Sequence, residues 1–534
     1  MKKRISLLLA IMLTSNFFML SCKSESNDSW KENTGTIDLD TLNVSGNGVS
    51  VENNIISIVS GGDFEVFGEL SNGMIYVSTE ERVKLRLSGA SITNESGPAI
   101  FFDNVDKGFI TITENTENFL SDGAVYTTDD ADAALFSNDD LEIKGSGILN
   151  ITGSYKHGIA GDDDVKIENG TINITSNEHG IKANDTLSIL DGNITADAKT
   201  GKGLKSELEL IIEGGALNIT SQENEGIESK GTLTINGGDI SITATDDGIN
   251  TGNSDTESQM PQNLPPQWDM QRPEDMPPQS QRLENIPPQN TKNPRPQGGG
   301  FHPGGGFGMV DAETAAAHAV TINGGNIYIN TACDGIDSNG NLTITGGKVI
   351  IDGPERGGNG PLDSQGTMSI TGGTVITTSS AGMIQLPQNA DTVNILRVYF
   401  TETQSAKTKV SVTSSDYELL SLTPQNAYQA LIVITADLKE NTEYTICLND
   451  EKYESFTAVS GTTSVGSFGG GRTPKGDWVQ NRGNRQNNIN IPPNGQSMIK
   501  KNYILVAFRT LLDTLGIEVT WDNATKQVLI NSKN

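Results

Sequence analysis

Residues 232–252 read TLTINGGDISITATDDGINTG, and this stretch is one unit of a repeat that decides the fold. Leu233 and Ile235 alternate with threonine, and Ile240 and Ile242 alternate with serine and threonine. Alternation of this kind, with many β-branched residues and glycine between the runs, predicts short strands rather than helices.

The unit recurs with a period of 22 or 23 residues. Each period contains a glycine followed by Ile or Leu, at Gly158, Gly180, Gly203, Gly226 and Gly248. A second glycine series keeps the same step in the turns, at Gly170, Gly192, Gly215 and Gly238. A fixed period of this length is typical of stacked coils. We therefore predict an all-β fold, a right-handed parallel β-helix with about 22 residues per coil, over residues 36–390.

A proline- and glycine-rich segment interrupts the repeat at residues 253–317. Removing it restores a spacing of 22 residues between Gly248 and Gly335. The segment is therefore an insertion within one coil, and its composition predicts disorder because it offers little apolar surface to bury.

The N-terminus has the pattern of a secretory signal, in which MKKR precedes an apolar run. It ends in Met19-Leu20-Ser21-Cys22, which resembles a bacterial lipobox with Cys22 as the lipidated residue. We predict a lipoprotein signal over 1–22, a tether over 23–35, and an extracytoplasmic protein anchored by lipid at the cell surface. The alternative is a plain cleaved signal in which Cys22 has no role.

Three segments follow the helix. Residues 391–462 are rich in strand patterns and predict a small antiparallel β cap over the open end of the helix, since an uncovered end would be a sticky strand edge. Residues 463–497 have the composition of a flexible linker. Residues 498–534 combine a helical pattern with two strands, and they resemble part of the stalk-type module called the copper amine oxidase N-terminal domain. The copper in that name implies no copper site here.

The overall charge limits the partners of the chain. The formal net charge is −30, which argues against nucleic acid because phosphate contacts need clustered Lys and Arg. We expect a monomer that meets the membrane only through its lipid. Cys333 and Cys447 could form a disulfide or remain free, and the sequence leaves this open.

Equivalent positions of successive coils predict a metal site, because such positions lie side by side in a β-helix. Beside the repeat glycines the later coils are strongly anionic, with Asn250 as a neutral member, and stacked carboxylates repel one another unless protons, solvent or a cation compensate them. Oxygen ligands without His or Cys favour Ca²⁺. The alternative is a solvated acidic edge. The candidate ligands are Glu225, Glu228, Asp246, Asp247, Asp334, Asp337 and Asp363.

The earlier coils carry basic residues at the same positions. His179, Lys182, Lys202 and Lys205 could receive the carboxylate or sulfate of an acidic sugar. The alternative is that the lysines only pair with neighbouring acids.

The chain also resembles a bacterial family of carbohydrate-binding β-helix proteins that bind polygalacturonate and cellulose. The likeness rests on ALFSNDDLEIKGSGILNITGSYKHGIAGDDDVKI at 134–167, on the glycine-isoleucine coils, and on the interruption and cap that follow them. It implies calcium on the helix and binding without catalysis. His179 and Lys202 depart from the Asp or Asn common in that family, which leaves the acidic edge as the better metal site.

The resemblance, together with the acidic column, implies a non-catalytic, calcium-dependent binder of acidic plant-type polysaccharide such as polygalacturonate or pectin, with cellulose as a further candidate. Catalytic residues are not identified, because the carboxylates belong to a repeated column and the Gly-His-Gly motif of β-helix hydrolases is missing from the sequence. A β-helix polysaccharide lyase or hydrolase remains the first alternative, and a structural protein of the cell envelope the second.

Overall fold

The computed structural model describes residues 28–127, 131–252 and 312–467, together with two strands of the C-terminal tail. The predicted signal with Cys22, most of the insertion, the linker from residue 468 and the helical pattern of the tail lie outside these residues. No helix among the described residues is long and apolar enough to cross a membrane.

The prediction of a parallel β-helix is confirmed. The first, irregular coils contain a 3-10 helix at Asp28–Glu32 and strands β1 Thr34–Asp38, β2 Asn43–Val44, β3 Val49–Glu52, β4 Ile55–Ile58, β5 Gly62–Leu70, β6 Met74–Ser78, β7 Arg82–Thr93, β8 Ile100–Asn104, β9 Lys107–Ile112 and β10 Glu117–Ser121. The regular coils contain strands β11 Ala133–Ser137, β12 Leu141–Gly145, β13 Ile148–Gly153, β14 His157–Gly161, β15 Val165–Ile167, β16 Thr171–Ser176, β17 Ile181–Ala183, β18 Thr186–Ile189, β19 Asn193–Ala198, β20 Leu204–Ser206, β21 Glu209–Ile212, β22 Ala216–Ser221, β23 Ile227–Ser229, β24 Thr232–Ile235, β25 Asp239–Ala244, β26 Ile249–Thr251, β27 Val320–Ile322, β28 Asn326–Thr331, β29 Ile336–Ser338, β30 Leu342–Ile344, β31 Lys348–Asp352, β32 Leu362–Ser364, β33 Met368–Ile370 and β34 Thr374–Ser379.

Each regular coil contributes one strand to each of three rows. The first row runs through β18, β21 and β24, the second through β19, β22 and β25, and the third through β17, β20 and β23. Pairing within each row is parallel, and a residue lies beside its equivalent in the next coil, as in the series Leu187, Leu210, Leu233. The period of the sequence is thus the length of one coil.

The inward residues of the rows form a continuous apolar core from Ile37 to Ile434. Strands of the second row bury every other residue, so that Ile240 and Ile242 point inward while Asp239, Ser241 and Thr243 point outward. Burial of aliphatic side chains contributes about 25 cal/mol per Å² of apolar surface removed from water, and this is the main force that holds the coils together.

Two positions explain the glycine repeats. A Cβ on Gly226 would clash with Ile242 Cγ2 and lie 2.8 Å from the carbonyl oxygen of Gly248, so only glycine lets the third row approach the core this closely. Gly238, in the turn between the first and second rows, has φ of 101°, a conformation that L side chains rarely adopt.

The insertion interrupts a single coil, since β24 pairs with β27 and β26 pairs with β29 across it. Residues 253–311 lie outside the described part of the chain. The expectation of disorder up to residue 317 is wrong at its end, where Ala312–Ala317 form helix α1. The sequence AETAAA favours this because alanine has the highest helix propensity, and Ala315 is buried.

The tether predicted to end at residue 35 is also wrong from residue 28 onward. Trp30 is only 7% exposed and stacks on Phe109, with ring centroids 5.7 Å apart. Burial of this large aromatic side chain fixes the 3-10 helix against the first coils, and β1 then pairs in parallel with β5.

The C-terminal cap consists of strands β35 Asn394–Gln404, β36 Val410–Thr413, β37 Glu418–Leu422, β38 Tyr428–Thr435, β39 Glu443–Leu448, β40 Glu451–Thr457 and β41 Thr462–Val465. Strand β38 pairs antiparallel with β34, the last strand of the second row, and so covers that edge of the helix. The buried carboxylate of Asp352, at the end of β31, accepts hydrogen bonds from the backbone N–H groups of Gln425 and Asn426, which ties the cap to the coil before the last. Both Cys333 and Cys447 are free.

Residues 478–534 form a separate compact unit. Its described part is a pair of antiparallel strands, β42 Ile517–Asp522 and β43 Gln527–Ser532.

Candidate functional site

The strands of the third row present one outward side chain each. β17, β20 and β32 are three residues long, and only the middle residue of each points away from the core. Strand pairing aligns these middle residues in one column, which runs Lys182, Lys205, Glu228, Asn250, Asp337 and Asp363. The column predicted from the sequence is therefore a real line of neighbours.

The residues that precede the repeat glycines form a second column beside the first. Backbone hydrogen bonds join successive coils here, from Gly226 N–H to the Asp247 carbonyl at 2.9 Å and from Gly248 N–H to the Asp334 carbonyl at 2.9 Å. This column runs His157, His179, Lys202, Glu225, Asp247 and Asp334. The two columns together form one outward surface of the helix, which we call the charged face.

The histidines at the basic end of the charged face have a structural role. His157 and His179 are buried and stack with ring centroids 4.7 Å apart. The Nδ1 atom of His179 accepts a hydrogen bond from the backbone N–H of Lys202 at 2.9 Å, and burial lowers the pKa of His179 far below its usual range. The covered ring of His179 therefore favours a structural role, and its predicted contact with an acidic sugar is not supported by the geometry.

The lysines of the charged face are each held by an acid. Lys205 Nζ lies 3.0 Å from Glu207 Oε1, and Lys182 Nζ lies 3.7 Å from Asp132 Oδ2. Their contacts favour the alternative in which these side chains pair with neighbouring acids, because an occupied ammonium group is a poor receptor for a sugar carboxylate.

Lys202 occupies the junction between the basic and acidic halves. Its Nζ lies 3.2 Å from Glu228 Oε2 and 3.6 Å from Glu225 Oε2, and both glutamates are buried. Burial pulls the pKa of Lys202 down, but attraction to the two carboxylates outweighs it and raises the pKa overall. Glu225 and Glu228 are thus occupied by a cation of the protein, and their prediction as metal ligands, like that of Lys202 as a sugar contact, is not supported by the geometry.

The remaining acids converge in the coils that follow. One carboxylate oxygen from each of Asp247, Asp334 and Asp337 lies within 4.8 Å of the others. A second group, formed by Asp246, Asp247 and Cys333, meets the same limit and shares Asp247. We call these residues the aspartate cluster. Two oxygens that each lie about 2.4 Å from one ion are at most about 4.8 Å apart, so the carboxylates fit a calcium-sized cation.

The backbone of the next coil positions the cluster. Asp247 Oδ1 accepts a hydrogen bond from the backbone N–H of Asp334 at 2.8 Å, and Asp334 Oδ1 accepts one from the N–H of Gly360. Each carboxylate is therefore fixed by the coil above it. Asp363 lies beside Asp337 in the column, but its Oδ1 accepts a hydrogen bond from Gln385 Nε2 and it does not join either convergent group.

The electrostatics of the cluster differ from those of a solvated acidic edge. Burial raises the pKa of Asp247 to about 9, and repulsion from Asp334, Asp337 and Asp246 adds to the shift. Burial also raises the pKa of Asp334 to about 6, helped by Asp363 and Asp246. At neutral pH Asp247 therefore keeps a proton that a bound cation would displace, whereas Asp334 is mostly ionised.

Cys333 is a member of the aspartate cluster that the sequence did not predict. Burial and the neighbouring Asp246 raise the pKa of its thiol to about 12, so the sulfur is protonated and a weak ligand for a hard cation. Its position directly before Asp334 in TACDGID was the available signal, but adjacency in the chain did not show that the side chain lies against Asp246.

Two family models match parts of the chain. Residues 52–209 and 206–257 match the sequence model of a family described as carbohydrate-binding domain-containing proteins. Residues 485–534 match the copper amine oxidase N-terminal domain, which begins inside the stretch predicted as linker. Both predicted resemblances are thereby confirmed.

One curated relative and one solved structure are similar to the chain. A carbohydrate-binding domain-containing protein of Acetivibrio thermocellus is 30% identical over 134 residues, which is 24% of this chain and 47% of the relative, so the chain spans about half of that protein. The structure, a gadolinium derivative of a polysaccharide lyase-like protein from C. thermocellum, is 20% identical with a TM-score of 0.34, and the match covers 63% of this chain and 96% of the other. Asp246 and Asp247 fall inside the family match, whereas Asp334, Asp337 and Asp363 follow it.

Proposed function

We propose that this protein is a non-catalytic, lipid-anchored surface protein that binds acidic polysaccharide of the polygalacturonate type in a calcium-dependent manner. The observation that carries the proposal is the convergence of Asp247, Asp334 and Asp337 on a helix whose coils match a carbohydrate-binding family. Binding of carbohydrate is supported by that match, and the calcium and the acidic ligand are inferred from the cluster.

The charge of the site decides how an acidic glycan could be held. The cluster is surrounded by acids, and a chain of net charge −30 repels a polyuronate. The lysines of the charged face are engaged by Asp132, Glu207 and the buried glutamates, so they do not offset this repulsion. A Ca²⁺ ion shared between the cluster and uronate carboxylates would supply the missing positive charge.

Titration calorimetry with oligogalacturonates tests the proposal. We expect binding in millimolar Ca²⁺ and its loss in EDTA. Asp334→Asn should weaken binding by at least about tenfold, because it removes a charged ligand that the next coil holds in place. Asp185→Asn is the matched control, since Asp185 is exposed and lies in the turn between β17 and β18. Binding that persists in EDTA would refute the calcium bridge.

An activity assay distinguishes a binding protein from a lyase or hydrolase with the same fold. Incubation with polygalacturonate and Ca²⁺ should release neither unsaturated products nor new reducing ends. Product formation that is abolished by Asp247→Ala would establish an enzyme and overturn the proposal of simple binding.

The lipid anchor is tested separately from the ligand. Cys22→Ser should shift the protein from the membrane fraction to the medium, because the thioether-linked lipid cannot form on serine. Membrane retention of this variant would contradict the anchor without affecting the binding proposal.

A further inference from the structure

The outward residues of the first strand row change character along the helix. In the early coils, strands β7, β9, β12 and β15 present six basic residues and one acid, Glu142. In the later coils, strands β18, β21, β24, β27, β30 and β33 present neither Lys nor Arg. We call the first group the basic face. Its basic residues are Arg82, Lys84, Arg86, Lys107, Lys144 and Lys166.

The basic face has an acid beneath its lysines. Strand pairing places Phe109, Glu142 and Lys166 in one column. Three ammonium groups share Glu142, at 2.8 Å for Lys144, 3.4 Å for Lys107 and 3.8 Å for Lys166. The side chain of Glu142 is only 10% exposed, against 39% for Lys144 and 34% for Lys166, so the lysines form the outer layer of the face.

Further acids at the rim of the basic face balance its charge. Asp63 pairs with Lys84 and Arg86, and Asp106 pairs with Arg82. The other rim acids in contact with the basic residues are Glu65, Asp140 and Glu168. Together with Glu142, these six acids offset the six basic residues, whereas the whole chain has a net charge of −30. An anionic surface therefore repels the chain as a whole but does not repel this face.

The chain enters the described structure on the basic face. Trp30, in the 3-10 helix, stacks on Phe109. The Nζ atoms of Lys107 and Lys144 lie 5.7 and 5.8 Å from the centroid of the same Phe109 ring. Lys31 adds a further cation, with its Nζ 5.5 Å from the centroid of the Trp30 ring. The 3-10 helix is thus packed among the cations of this face.

The lipid proposed on Cys22 is close to this point along the chain. Six residue steps separate Cys22 from Asp28, and an extended chain covers at most about 3.6 Å per step, so Asp28 lies within about 22 Å of the lipidated residue. A chain anchored in this way keeps the basic face near the lipid headgroups whatever path residues 23–27 take. The orientation of the helix about this point then depends on charge.

The end of the helix is a poor surface for an anionic membrane. Residues 33–60 form this end, where β2 and β3 turn back antiparallel on β1 and β4. They contain Asp38, Asp40 and Glu52 but neither Lys nor Arg. An anionic lipid surface attracts Lys and Arg that come within a Debye length, about 8 Å at physiological ionic strength, and repels acids in the same range. The basic face is therefore favoured over the end of the helix.

We infer that the basic face docks side-on against anionic phospholipid headgroups, with the 3-10 helix at the contact. The inference rests on the lipid anchor of the proposed function and adds the orientation of the anchored protein. The charged face belongs to the third strand row, on another side of each coil, so this orientation leaves the aspartate cluster open to solvent.

Lysine labelling of the lipidated full chain tests the inference. The protein is reconstituted into vesicles of phosphatidylcholine alone or mixed with phosphatidylglycerol, and a membrane-impermeant amine reagent is read out by peptide mass spectrometry. Labelling of Lys144 and Lys166 should fall by at least about fivefold in the anionic vesicles and recover in high salt, because salt screens the headgroups. Lys199 and Lys348 are exposed and lie outside the basic face, so their labelling should be the same in both kinds of vesicle.

Lys84→Gln/Lys107→Gln is the test variant, and it should raise the labelling of Lys144 and Lys166 in anionic vesicles by at least about twofold. The fold should tolerate it, because Arg86 still pairs with Asp63 and two lysines still contact Glu142. Lys199→Gln/Lys348→Gln removes the same charge elsewhere and is the matched control, which should keep full protection. Unfolding temperatures close to that of the unmodified protein confirm that both variants are folded.

The outcomes separate the docking from the anchor. Equal labelling of Lys144 and Lys166 in the two kinds of vesicle, or protection that the control variant also loses, would overturn the docking while the anchor stands. Failure of the anchor appears separately, as protein that does not float with vesicles of either composition, and it would overturn the docking together with the anchor.

Discussion

The two halves of the charged face have the same backbone and opposite electrostatics. Around Lys202 the two buried acids are matched by a half-buried cation, with Glu225 and Glu228 both within 3.6 Å of its Nζ. Two coils further on, Asp247, Asp334 and Asp337 converge, and burial together with repulsion from its neighbours raises the pKa of Asp247 to about 9. The coil supplies the geometry, and the residues of the two columns beside each glycine decide whether its acids face a lysine or face one another.

The largest loss of stability is expected when Lys202, the cation shared by Glu225 and Glu228, is removed. Lys202→Ala leaves Glu225 and Glu228 buried together without their cation, and we expect it to lower the free energy of unfolding by about 3–5 kcal/mol. Chemical denaturation at pH 7 measures this. Lys202→Ala combined with Glu228→Gln should recover part of the loss, and a single variant as stable as the unmodified protein would contradict the ion-pair assignment.

Calcium should act on the half of the charged face that contains the aspartate cluster. At a free concentration 100 times the Kd, one bound ion stabilises the folded chain by about 2.7 kcal/mol. The expected result is a calcium-dependent rise in unfolding temperature that Asp247→Asn removes and Lys205→Ala leaves in place. An unfolding temperature that does not respond to Ca²⁺ would favour a protonated acidic edge instead.

The pH dependence of stability should change sign with calcium. The pKa values of Asp247 and Asp334, about 9 and about 6, lie above the value of about 3.9 for an unfolded aspartate. Their stabilising contribution in EDTA is complete below pH 4 and is lost as pH rises through 6 and 9, by up to about 1.4 kcal/mol per pH unit for each proton. With excess Ca²⁺ the stability should instead be flat or rise with pH, because the ion competes with the protons. Parallel slopes in the two conditions would refute the competition.

The smallest effect is expected for an ion pair whose carboxylate, Glu207, also contacts a second lysine. Lys205→Ala removes one partner of Glu207, but Lys230 Nζ also lies 3.1 Å from that carboxylate. We expect a loss below about 1 kcal/mol in the free energy of unfolding, the range of ordinary partly exposed pairs. A loss comparable to that of Lys202→Ala would contradict this expectation. It would show that Lys205 stabilises the fold as much as Lys202 does, although Glu207 is more exposed than Glu225 and Glu228.

Much of the scaffold could be predicted because a β-helix places equivalent residues side by side. The glycine period gave the coil length, and it also showed that residues 253–317 interrupt one coil. The alignment of Lys205, Glu228 and Asp337 in a column followed from the same period. The start of the β-helix and the end of the insertion were predicted less well, because Trp30 and α1 are fixed by contacts rather than by the repeat.

The candidate site was only partly predictable. Six acids of the two columns, with Asp246 beside them, looked equivalent in the sequence. Lys202 nevertheless reaches forward to engage Glu225 and Glu228, while Gln385 engages Asp363. The direction in which a long side chain extends across coils is set by local packing, and no period encodes it. The same reason hid Cys333, which meets Asp246 only through the fold.

The sequence by itself determined the coil, its rows and the identity of every residue in each column, because these follow from a repeat length and an alternation of apolar residues. The tertiary structure alone decided which charges neutralise one another and which carboxylates retain protons. Those outcomes depend on distances of a few ångströms and on exclusion of water, and both arise only when the coils are stacked.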